Sequence, residues 1–534
     1  MFKGTSIEIM AFTAKYIDIL KTSVPFRIEI ALLLIVAAFL LIYCAGSKSK
    51  HQRPLPPGPS PLEFIINNLS QPRLPRCRAF QKWHNIYGPI ISVRFGQTVT
   101  ISIGSYEAAH DLLEKRKDIY DSRPHFIVGG DCITKGLNFI LLPNDSRWKT
   151  HRRLVSNFLS NRQVRSYRYL QDIESKQLLY DLLSSKDFSG ELRRFNFSII
   201  MTLVYGRRME ARMNPEIGDH RQIIRNIGGA MGQAQTTVVE AFPILNRLPR
   251  WAAPWKRMGD VLFDYADKFF QGNMQYAQSS TSYNWARRIS DLKEAQGLPL
   301  TELSHVVGTL LGAGSDTSTS VLEFFTMASV LHPESVEKAQ QELDSVVGQN
   351  RLPSFDDASN LPYVNALIKE VLRWRPVTPM GVPHSPMEDD EYLGYHIPKG
   401  ATIVENQWAI NMNDENFQDP FEFRPERWLQ HPDQPLCTFG LGRRTCPGKQ
   451  IAQNSVFIAV ARILWAYNIS HYYSNGTKVP IDPLDITQTL VGRPSPFQAS
   501  FSIRSLAHQR IVEQEWESTT TDVNVTMDHI HSVK

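Results

Sequence analysis

One cysteine of this sequence stands in a setting that could make it reactive. Residues 439–448 read FGLGRRTCPG, so three glycines, two arginines and a proline surround Cys446. Glycines let backbone N–H groups approach a sulfur closely, and Arg443 and Arg444 are expected to lower the pKa of the thiol. Such a thiolate could be a nucleophile or a metal ligand, although a single cysteine in a Gly-rich loop is more often structural.

An acid and an alcohol lie side by side in a predicted helix. Apolar periodicity predicts this helix from about Leu303 to Leu331, with Asp316 and Thr317 near its middle. Residues 315–320 include five hydroxyl side chains, which lower helix propensity and can bond the i−4 carbonyl. This cost indicates a function such as proton transfer, or else a capped break in the helix.

Two further pairs of residues lie one helical turn apart. Glu370 and Arg373 are expected on one helix face, where such a pair is usually a surface ion pair of small value. Trp148 and Arg152 could contact the same ligand edge. His384 follows a Gly-Val-Pro sequence and could bind a ligand or simply occupy a turn.

In combination, these motifs resemble the cytochrome P450 superfamily. The loop FGLGRRTCPG matches the haem-ligand signature F-x-x-G-x-R-x-C-x-G of that family. The resemblance covers residues 54–505, roughly 85% of the chain. The other family motifs occur upstream, in the family's order: WxxxR at 148–152, AGSDTS at 313–318, EVLR at 370–373 and PERW at 425–428.

The resemblance implies a haem b whose iron is ligated by the Cys446 thiolate, a ligand that favours cleavage of the O–O bond. It also implies that Gly442 and Gly448 keep the loop flat against the porphyrin. Phe439 would pack beside the thiolate, and Arg444 would donate hydrogen bonds to a haem propionate.

The same resemblance gives roles to the upstream residues. Trp148 and Arg152 would contact a haem propionate, and His384 would do the same. The sequence does not separate the role of Arg152 from that of Arg153. A second set, Glu370, Arg373 and Arg427, would form a buried charge network that supports the thiolate loop.

On the distal side of the haem, the family implies that Asp316 and Thr317 organise a water relay for protons. Gly314 would make room for dioxygen. Substrate would contact mostly apolar segments, which favours an apolar substrate: these lie near residues 126–139, 228–237, 310–313, 379–382 and 490–491.

The elements that position these residues are predicted to be mainly α-helices with small β-sheets. Alternation over Ile90 to Ile103 predicts two short strands separated by Gly96. Amphipathic stretches at 335–347 and 361–374 predict helices. At ~150 residues per domain, 534 residues would give three or four domains, whereas the resemblance implies one haem-thiolate catalytic domain at 62–505.

Composition excludes several classes of protein. With 42% apolar and 21% charged residues, the chain is neither disordered nor collagen-like. Five scattered cysteines form no disulfide framework and no zinc motif. The net charge is only +5 and the sequence contains no run of five or more basic residues, so no nucleic-acid partner is expected.

The N-terminal region predicts a membrane anchor. Residues 30–46 carry no charge and as a helix would span ~26 Å; the alternatives are a signal peptide and a buried core helix. Residues 1–29 are expected in the lumen, 47–61 as a basic and Pro-rich hinge, and 506–534 as a loosely held polar tail. This arrangement predicts a single-pass protein of the endoplasmic reticulum membrane, in contact with membrane lipid, with its catalytic domain in the cytosol.

The sequence therefore predicts a haem-thiolate monooxygenase that uses dioxygen and NADPH-derived electrons. No second redox domain fits in the chain, so the partner would be an NADPH-cytochrome reductase, a flavoprotein, with cytochrome b5 as a further candidate. The segment GVPHSPMEDDEYLGYHIPKG resembles fungal secondary-metabolism enzymes of the O-methylsterigmatocystin oxidoreductase group. This resemblance implies hydroxylation or oxidative coupling of an apolar, aromatic small molecule: a polyketide, alkaloid or terpenoid. The alternatives are a haem-thiolate isomerase or dehydratase that needs no reductase, and a non-catalytic haem carrier.

Overall fold

The computed structural model of the chain describes residues 53–60, 63–64, 75–487 and 489–532. Residues 1–54 and 55–534 form two separate units. The predicted segments 1–29 and 30–46 and the first part of the predicted hinge lie outside the described residues. Within the described part of the chain, no helix is long and apolar enough to cross a bilayer.

Helices dominate the described residues, as the sequence predicts. Two short π-helical segments, His110–Lys115 and Ile127–Ile133, interrupt the pattern. The α-helices are α1 (Arg76–Tyr87), α2 (Tyr106–Ala109), α3 (Lys117–Tyr120), α4 (Ser146–Ser156), α5 (Asn161–Ser166), α6 (Arg168–Leu182), α7 (Phe188–Tyr205), α8 (Pro215–Met231), α9 (Ala234–Ala241), α10 (Pro254–Ser279), α11 (Trp285–Ser290), α12 (Leu300–Leu331), α13 (Pro333–Val346), α14 (Pro362–Trp374), α15 (Gln407–Asn411), α16 (Arg427–Gln430), α17 (Lys449–Ala466), α18 (Leu506–Glu517) and α19 (Val523–Ser532).

The strands form small sheets. The two strands predicted at 90–103 are confirmed: β1 and β2 pair antiparallel, with Ile90 opposite Ile103, and Gly96 lies in the turn. β5 joins β2 in parallel, and three two-stranded sheets pair β3 with β4, β6 with β9, and β7 with β8. The strands are β1 (Ile90–Phe95), β2 (Thr98–Ile103), β3 (Asp390–Tyr392), β4 (Tyr395–Ile397), β5 (Thr402–Glu405), β6 (Tyr467–His471), β7 (Tyr473–Ser474), β8 (Thr477–Lys478) and β9 (Ala499–Ile503).

Helix α12 runs through the main hydrophobic core and packs against α7, α10, α14 and α17. Its 32 residues span ~48 Å. It is a continuous α-helix, so the hydroxyl-rich segment does not break it. Instead Ser315, Thr317 and Thr319 each donate a hydrogen bond to the i−4 carbonyl, at 2.7–2.8 Å. These bonds satisfy the buried hydroxyls within the helix, which excludes a capped helix break.

The C-terminal residues 506–532 differ from the predicted loose tail, because they form α18 and α19, both packed on α6. Helix α18 buries Val512, and α19 buries Met527 and Ile530, in a stretch whose overall composition is polar. Aromatic contacts add to the attachment, since the rings of Tyr169 and His529 lie 4.1 Å apart. A few well-spaced apolar residues are enough to hold a mostly polar helix on a protein surface.

A fully buried carboxylate joins α14 to the segment that precedes the Cys446 loop. Glu370 accepts hydrogen bonds from Arg373 at 2.7 and 2.9 Å, from Arg427 at 3.2 Å and from the Trp428 indole at 2.9 Å. Both arginines also donate to backbone carbonyls of residues 411–422. The predicted network of Glu370, Arg373 and Arg427 is thus confirmed, and it fixes the course of residues 411–428.

We expect Arg373→Leu to lower the free energy of unfolding by about 3 to 5 kcal/mol, because it leaves a buried carboxylate without its main partner. Urea denaturation followed by tryptophan fluorescence measures this change. Lys115→Gln is the matched control: it breaks the exposed ion pair with Asp111 and should cost no more than about 1 kcal/mol. Equal stability losses in the two variants would contradict the structural role of the network.

Candidate active site

A cavity of about 1210 Å³ contains the chemically interesting residues. Helix α12 forms part of its wall, and the loop of residues 438–448 forms another part. Further wall residues come from α4, α7, α8 and α10, from residues 377–384 and from residues 487–497. The cavity therefore brings together motifs that are up to 300 residues apart in the sequence.

Of the described cysteines, Cys446 alone has an accessible side chain, and it lines the cavity, so the thiol is open to the cavity while it is enclosed within the protein. The loop that carries it is tight: the Cys446 N–H donates to the Phe439 carbonyl at 2.9 Å. Gly442 has φ +64°, and a Cβ there would lie 2.1 Å from the Leu113 carbonyl oxygen. The need for glycine at 442 thus comes from its φ and from the close approach of Leu113.

Burial raises the pKa of the Cys446 thiol. The N–H groups of Gly448 and Lys449 and the positive charges of Arg152 and Lys449 lower the pKa by less. The expectation that Arg443 and Arg444 lower it is wrong, because both point elsewhere. Arg443 forms ion pairs with Asp118 and Asp121, and Arg444 donates to the Asp121 carbonyl at 2.6 Å. In this setting the thiol would lose its proton when it binds a metal cation, because a cysteine ligates a metal as the thiolate.

Two of the predicted propionate residues lie together beside the cysteine loop. The guanidinium of Arg444 stacks 3.8 Å from the ring centre of Trp148, and its Nη2 atom is buried with no hydrogen-bond partner among the described residues. Arg152 donates to the Thr445 carbonyl at 3.4 Å. Arg153 instead bonds the Lys149 carbonyl and is exposed, so the structure separates the two arginines that the sequence leaves together.

A third guanidinium, that of the buried Arg123, was missed in the sequence. It donates to the carbonyls of Val382, Pro383 and Ile140 at 2.6 to 3.2 Å, and burial lowers its pKa to about 9. The nearby His384 is also buried, with Nδ1 2.8 Å from the Tyr120 carbonyl, and burial lowers its pKa to about 3. Arg123 belongs to no motif, so its place in the cavity was visible only after folding.

The three guanidiniums of Arg123, Arg152 and Arg444 lie in one wall of the cavity. Arg444 lowers the pKa of Arg123, and Arg152 lowers that of Arg444, although burial has the larger effect in both cases. Such a group of buried cations is stable only with anions nearby. The two propionates of haem b match this need, and the unpartnered Arg444 Nη2 has a free donor for one of them. The donor set therefore fits the predicted cofactor.

On the α12 wall, Asp316 and Thr317 both line the cavity, as predicted. Thr317 Oγ1 donates to the Ala313 carbonyl at 2.8 Å. Asp316 Oδ1 forms an ion pair with Arg493, which the sequence did not indicate, while its Oδ2 is buried with no partner among the described residues. Arg493 thus binds one carboxylate oxygen of Asp316, and the other oxygen can accept a hydrogen bond from a water or a substrate.

Arg493 is placed by a tight turn of chain that lies between α17 and β9 in sequence. Within it, Thr487 N–H donates to the Arg493 carbonyl at 2.8 Å, and Ser495 N–H donates to the Asp485 carbonyl at 2.9 Å. Gly492 N–H anchors the turn to the Val377 carbonyl at 2.7 Å. These backbone hydrogen bonds make Arg493 a fixed part of the cavity.

The α12 wall is more polar than the sequence suggested. His220 of α8 is almost fully buried, and its Nε2 has no partner among the described residues. This atom would lie 3.6 Å from a Cβ placed on Gly312. Asp316 and Arg493 are the charges that act on the imidazole, with opposite effects on its pKa, which burial lowers. Gly314 also lines the cavity, and a Cβ placed on it would lie 2.9 Å from Ile200 of α7.

Each of the five segments predicted to contact substrate does contribute to the cavity. Sequence reasoning missed α7, most of α8, α10 and residues 493–497, which lie far from the family motifs. The contributing residues of the predicted segments are Ile133, Thr134, Asn138, Phe139, Gly228, Met231, Leu310, Gly312, Ala313, Gly381, Val382, Leu490 and Val491.

Comparison with known proteins decides the family. A family model described as Cytochrome P450 matches residues 56–501. The chain belongs to the cytochrome P450 family. It is 42% identical over 497 residues to the cytochrome P450 monooxygenase FrzL of a Cladobotryum species. The aligned residues make up 93% of this chain and 96% of that protein.

Other curated relatives and a solved structure agree with this assignment. The monooxygenase aneD of Aspergillus aculeatus is 41% identical and covers 89% of this chain and 93% of its own. The monooxygenase peniB of Penicillium patulum is 40% identical and covers 88% of each chain. A zebra fish cytochrome P450 solved with abiraterone has a TM-score of 0.66 and 24% identity over 81% of this chain and 100% of its own, which shows the fold.

Several predictions from the sequence are therefore confirmed. The protein is an oxidoreductase of the haem-thiolate monooxygenase class, similar to fungal enzymes of biosynthetic pathways. Its cofactor is haem b with a cysteine thiolate ligand. When bound, this cofactor supplies the activation of dioxygen.

We expect Arg152→Leu to release haem ~10- to 100-fold faster, because a hydrogen bond to a charged group is worth about 1.5–3 kcal/mol. Transfer of haem to excess apomyoglobin measures the rate. Arg153→Leu is the matched control and should release haem at the wild-type rate. Equal rates for the two variants would contradict the assignment of Arg152 to the cofactor.

The ion pair with Arg493 should hold the Asp316 carboxyl group in the orientation that proton transfer needs. We expect Asp316→Asn to lower product formation ~100-fold. Arg493→Gln should lower it less but raise hydrogen peroxide formed per NADPH, and Arg493→Lys should restore part of the coupling because it keeps the charge. Wild-type coupling in Arg493→Gln would show that the ion pair does not position the acid.

Proposed function

We propose that this protein hydroxylates or oxidatively couples a largely apolar, aromatic secondary metabolite: a polyketide, alkaloid or terpenoid. One observation carries the proposal. The cavity-exposed cysteine, the guanidiniums of Arg123, Arg152 and Arg444, and the Asp316–Thr317 pair all line the same cavity. A thiolate ligand, a site for the propionates and a proton-donating pair are the parts that this chemistry needs from the chain.

In this proposal Cys446 is the thiolate ligand of the iron. Phe439 and Gly448 shape its surroundings: the Phe439 carbonyl receives the Cys446 N–H, and the Gly448 N–H is directed at the sulfur. Hydrogen bonds from backbone N–H groups stabilise negative charge on a thiolate. A side chain at 448 would begin 4.0 Å from Sγ, so glycine keeps the approach to the sulfur open.

Trp148, Arg152 and Arg444 hold the haem propionates, together with Arg123, and His384 acts on them only indirectly, although the family resemblance implies a direct contact. Arg444 keeps its orientation by stacking on Trp148. His384 is neutral, and when its Nδ1–H donates to the Tyr120 carbonyl, Nε2 is left as an acceptor. In that tautomer His384 positions the neighbouring Val382 and Pro383 carbonyls for Arg123 and gives its own Nε2 to a hydroxyl or water.

Asp316 and Thr317 deliver protons to the dioxygen-binding side of the site. The Asp316 carboxylate is fixed through Oδ1 by Arg493, while Oδ2 is available to a water or a substrate group. The Thr317 hydroxyl donates to Ala313 and keeps its lone pairs for a further donor. The two residues are adjacent in the sequence, so few water molecules are needed to connect their side chains.

The cavity supports a substrate with an apolar body and at least one polar group. Isoleucines 199, 200, 223 and 224 and Phe270 supply apolar contact area. The unpartnered Nε2 of His220 and Oδ2 of Asp316 would each lose free energy if covered by apolar atoms alone. A hydroxyl or amide of the substrate meets this requirement, which adds a polar group to the apolar substrate expected from the sequence.

We place the protein in the endoplasmic reticulum membrane, held by residues 30–46, with residues 1–29 in the lumen and the catalytic domain in the cytosol. Trp251 is 80% exposed, and Ile244 and Leu248 are also exposed in the same connection between α9 and α10. Exposed apolar residues of this kind suit the membrane interface. Trp255, by contrast, is buried and packs within the protein.

Electrons for the reaction come from NADPH through a separate flavoprotein, an NADPH-cytochrome reductase, with cytochrome b5 as a further donor. Support comes from the exposed cations near the cysteine loop, Lys149 and Lys449. Complementary charge speeds the association of redox partners. Arg443 contributes less to this face than the sequence suggested, since Asp118 and Asp121 offset its charge.

We expect microsomes that contain the protein and a reductase to consume dioxygen with NADPH when the substrate is present. Deleting the gene should cause that substrate to accumulate, and the product should be heavier by one oxygen atom or lighter by two hydrogens. Cys446→Ala should abolish both the turnover and the shifted carbon monoxide spectrum of thiolate-ligated haem. Cys77→Ala, which changes a buried core cysteine, should keep both.

The same measurements separate the alternative functions. An isomerase or dehydratase would convert the accumulated compound without NADPH and with no change in oxygen count. A haem carrier would show the carbon monoxide spectrum and convert nothing. Either result would overturn the proposed reaction while leaving the family assignment intact.

A further inference from the structure

One buried carboxyl group in the cavity wall has no role in the chemistry described so far. Glu405 ends β5 and is 3% exposed. It lines the cavity next to Gly381, where an added Cβ would lie 3.6 Å from its Oε2. Its Oε1 atom is buried and has no partner among the described residues. A fully buried glutamate is rare, because the charged form loses its hydration.

The neighbours of Glu405 compensate only part of this loss. The Cys437 thiol and the Gln407 side chain favour the charged form of the carboxyl group, and Arg123 adds a favourable charge. The Gln407 amide itself donates to the Cys437 carbonyl at 3.0 Å. Arg123 itself makes its hydrogen bonds with three carbonyls and not with Glu405. Burial prevails, and it raises the pKa of Glu405 from 4.5 to about 7.

The other titratable groups around Glu405 change charge outside the neutral range. Burial raises the pKa of Cys437 well above its ordinary value, with Glu405 and Glu107 adding to the shift. His384 and Arg123 have pKa values lowered to about 3 and about 9, and that of Arg444 is lowered to about 10. Between pH 6 and 8, Glu405 is the member of this group whose charge changes most.

The charge of Glu405 matters for the haem because it acts on Arg123, one of the guanidiniums that would face the propionates. An ionised Glu405 adds a negative charge to this part of the cavity, whereas a protonated Glu405 does not. Reduction of ferric haem adds one negative charge, so it is favoured when the surroundings are more positive.

We infer that Glu405 couples the reduction of the haem iron to the uptake of a proton at this one carboxyl group. One electron from the reductase, or from dithionite in a test, reduces Fe(III) to Fe(II), and up to one proton from water binds to Glu405. Coupling of this kind is reciprocal. Protonation of Glu405 makes reduction easier, and reduction makes protonation easier.

The test is the midpoint potential of the haem-loaded, full-length protein, measured by spectroelectrochemistry from pH 6 to 8.5. Only preparations with the carbon monoxide spectrum of thiolate-ligated haem are used, which separates this test from any failure of the cofactor assignment. In the wild type the potential should fall as pH rises through about 7. Glu405→Gln should remove this fall and keep the potential near the value that the wild type has at pH 6.

A second measurement follows the protonation of Glu405 without the redox reaction. Because its pKa is raised in the folded protein, its contribution to stability is fully present below about pH 4.5 and is lost as pH rises through about 7. Glu405→Gln should flatten that part of the stability curve. A flattened stability curve with an unchanged slope of the potential would show that Glu405 titrates without acting on the haem, and would overturn the inference.

Asp181→Asn is the matched control. Burial raises the pKa of Asp181 to about 6, but this residue lies on α6 and does not line the cavity. The variant should keep the wild-type dependence of the potential on pH. An equal loss of slope in Asp181→Asn and Glu405→Gln would show a general effect of buried carboxyl groups, and an unchanged slope in both would assign the dependence to the propionates. Both results would overturn the inference.

Discussion

The hydrogen bonds of one buried carboxylate, Glu370, determine where the Cys446 loop lies. Arg373 and Arg427 meet at this carboxylate and then extend to the carbonyls of residues 411–422. That segment contains little regular secondary structure, so its backbone groups depend on side-chain donors. Because the segment leads directly into residues 438–448, the position of the sulfur depends on a network that never contacts the cavity.

The motifs of the sequence located most of the site because each keeps its residues close together along the chain. Trp148 and Arg152 lie on one turn of α4, Asp316 and Thr317 on one turn of α12, and Cys446 sits in its own tight loop. In these cases local geometry is enough to predict that the side chains act together. The helices and the β1–β2 hairpin were predictable for the same reason, since their signals are periodic over a few residues.

Other features depended on contacts between distant segments and left no local signal. Arg123, His220 and Arg493 are single polar residues in unremarkable surroundings, and only the packing of several elements brings them to the cavity. The pKa of Cys446 was misjudged because arginines adjacent in sequence point away from the sulfur. The C-terminal helices were missed because three or four buried apolar residues in a polar stretch give a weak pattern.

The order of the cavity residues along the chain also affects how the protein is made. Arg123 is synthesised early, whereas Cys446 and Arg493 belong to the last fifth of the sequence. Since chains fold progressively during synthesis, the helices of the first 400 residues form while the iron ligand is still absent. Arg123 and Arg152 are then in place before Arg444, the iron ligand and the anion they bind, so capture of the cofactor is a late event that completes folding and does not start it.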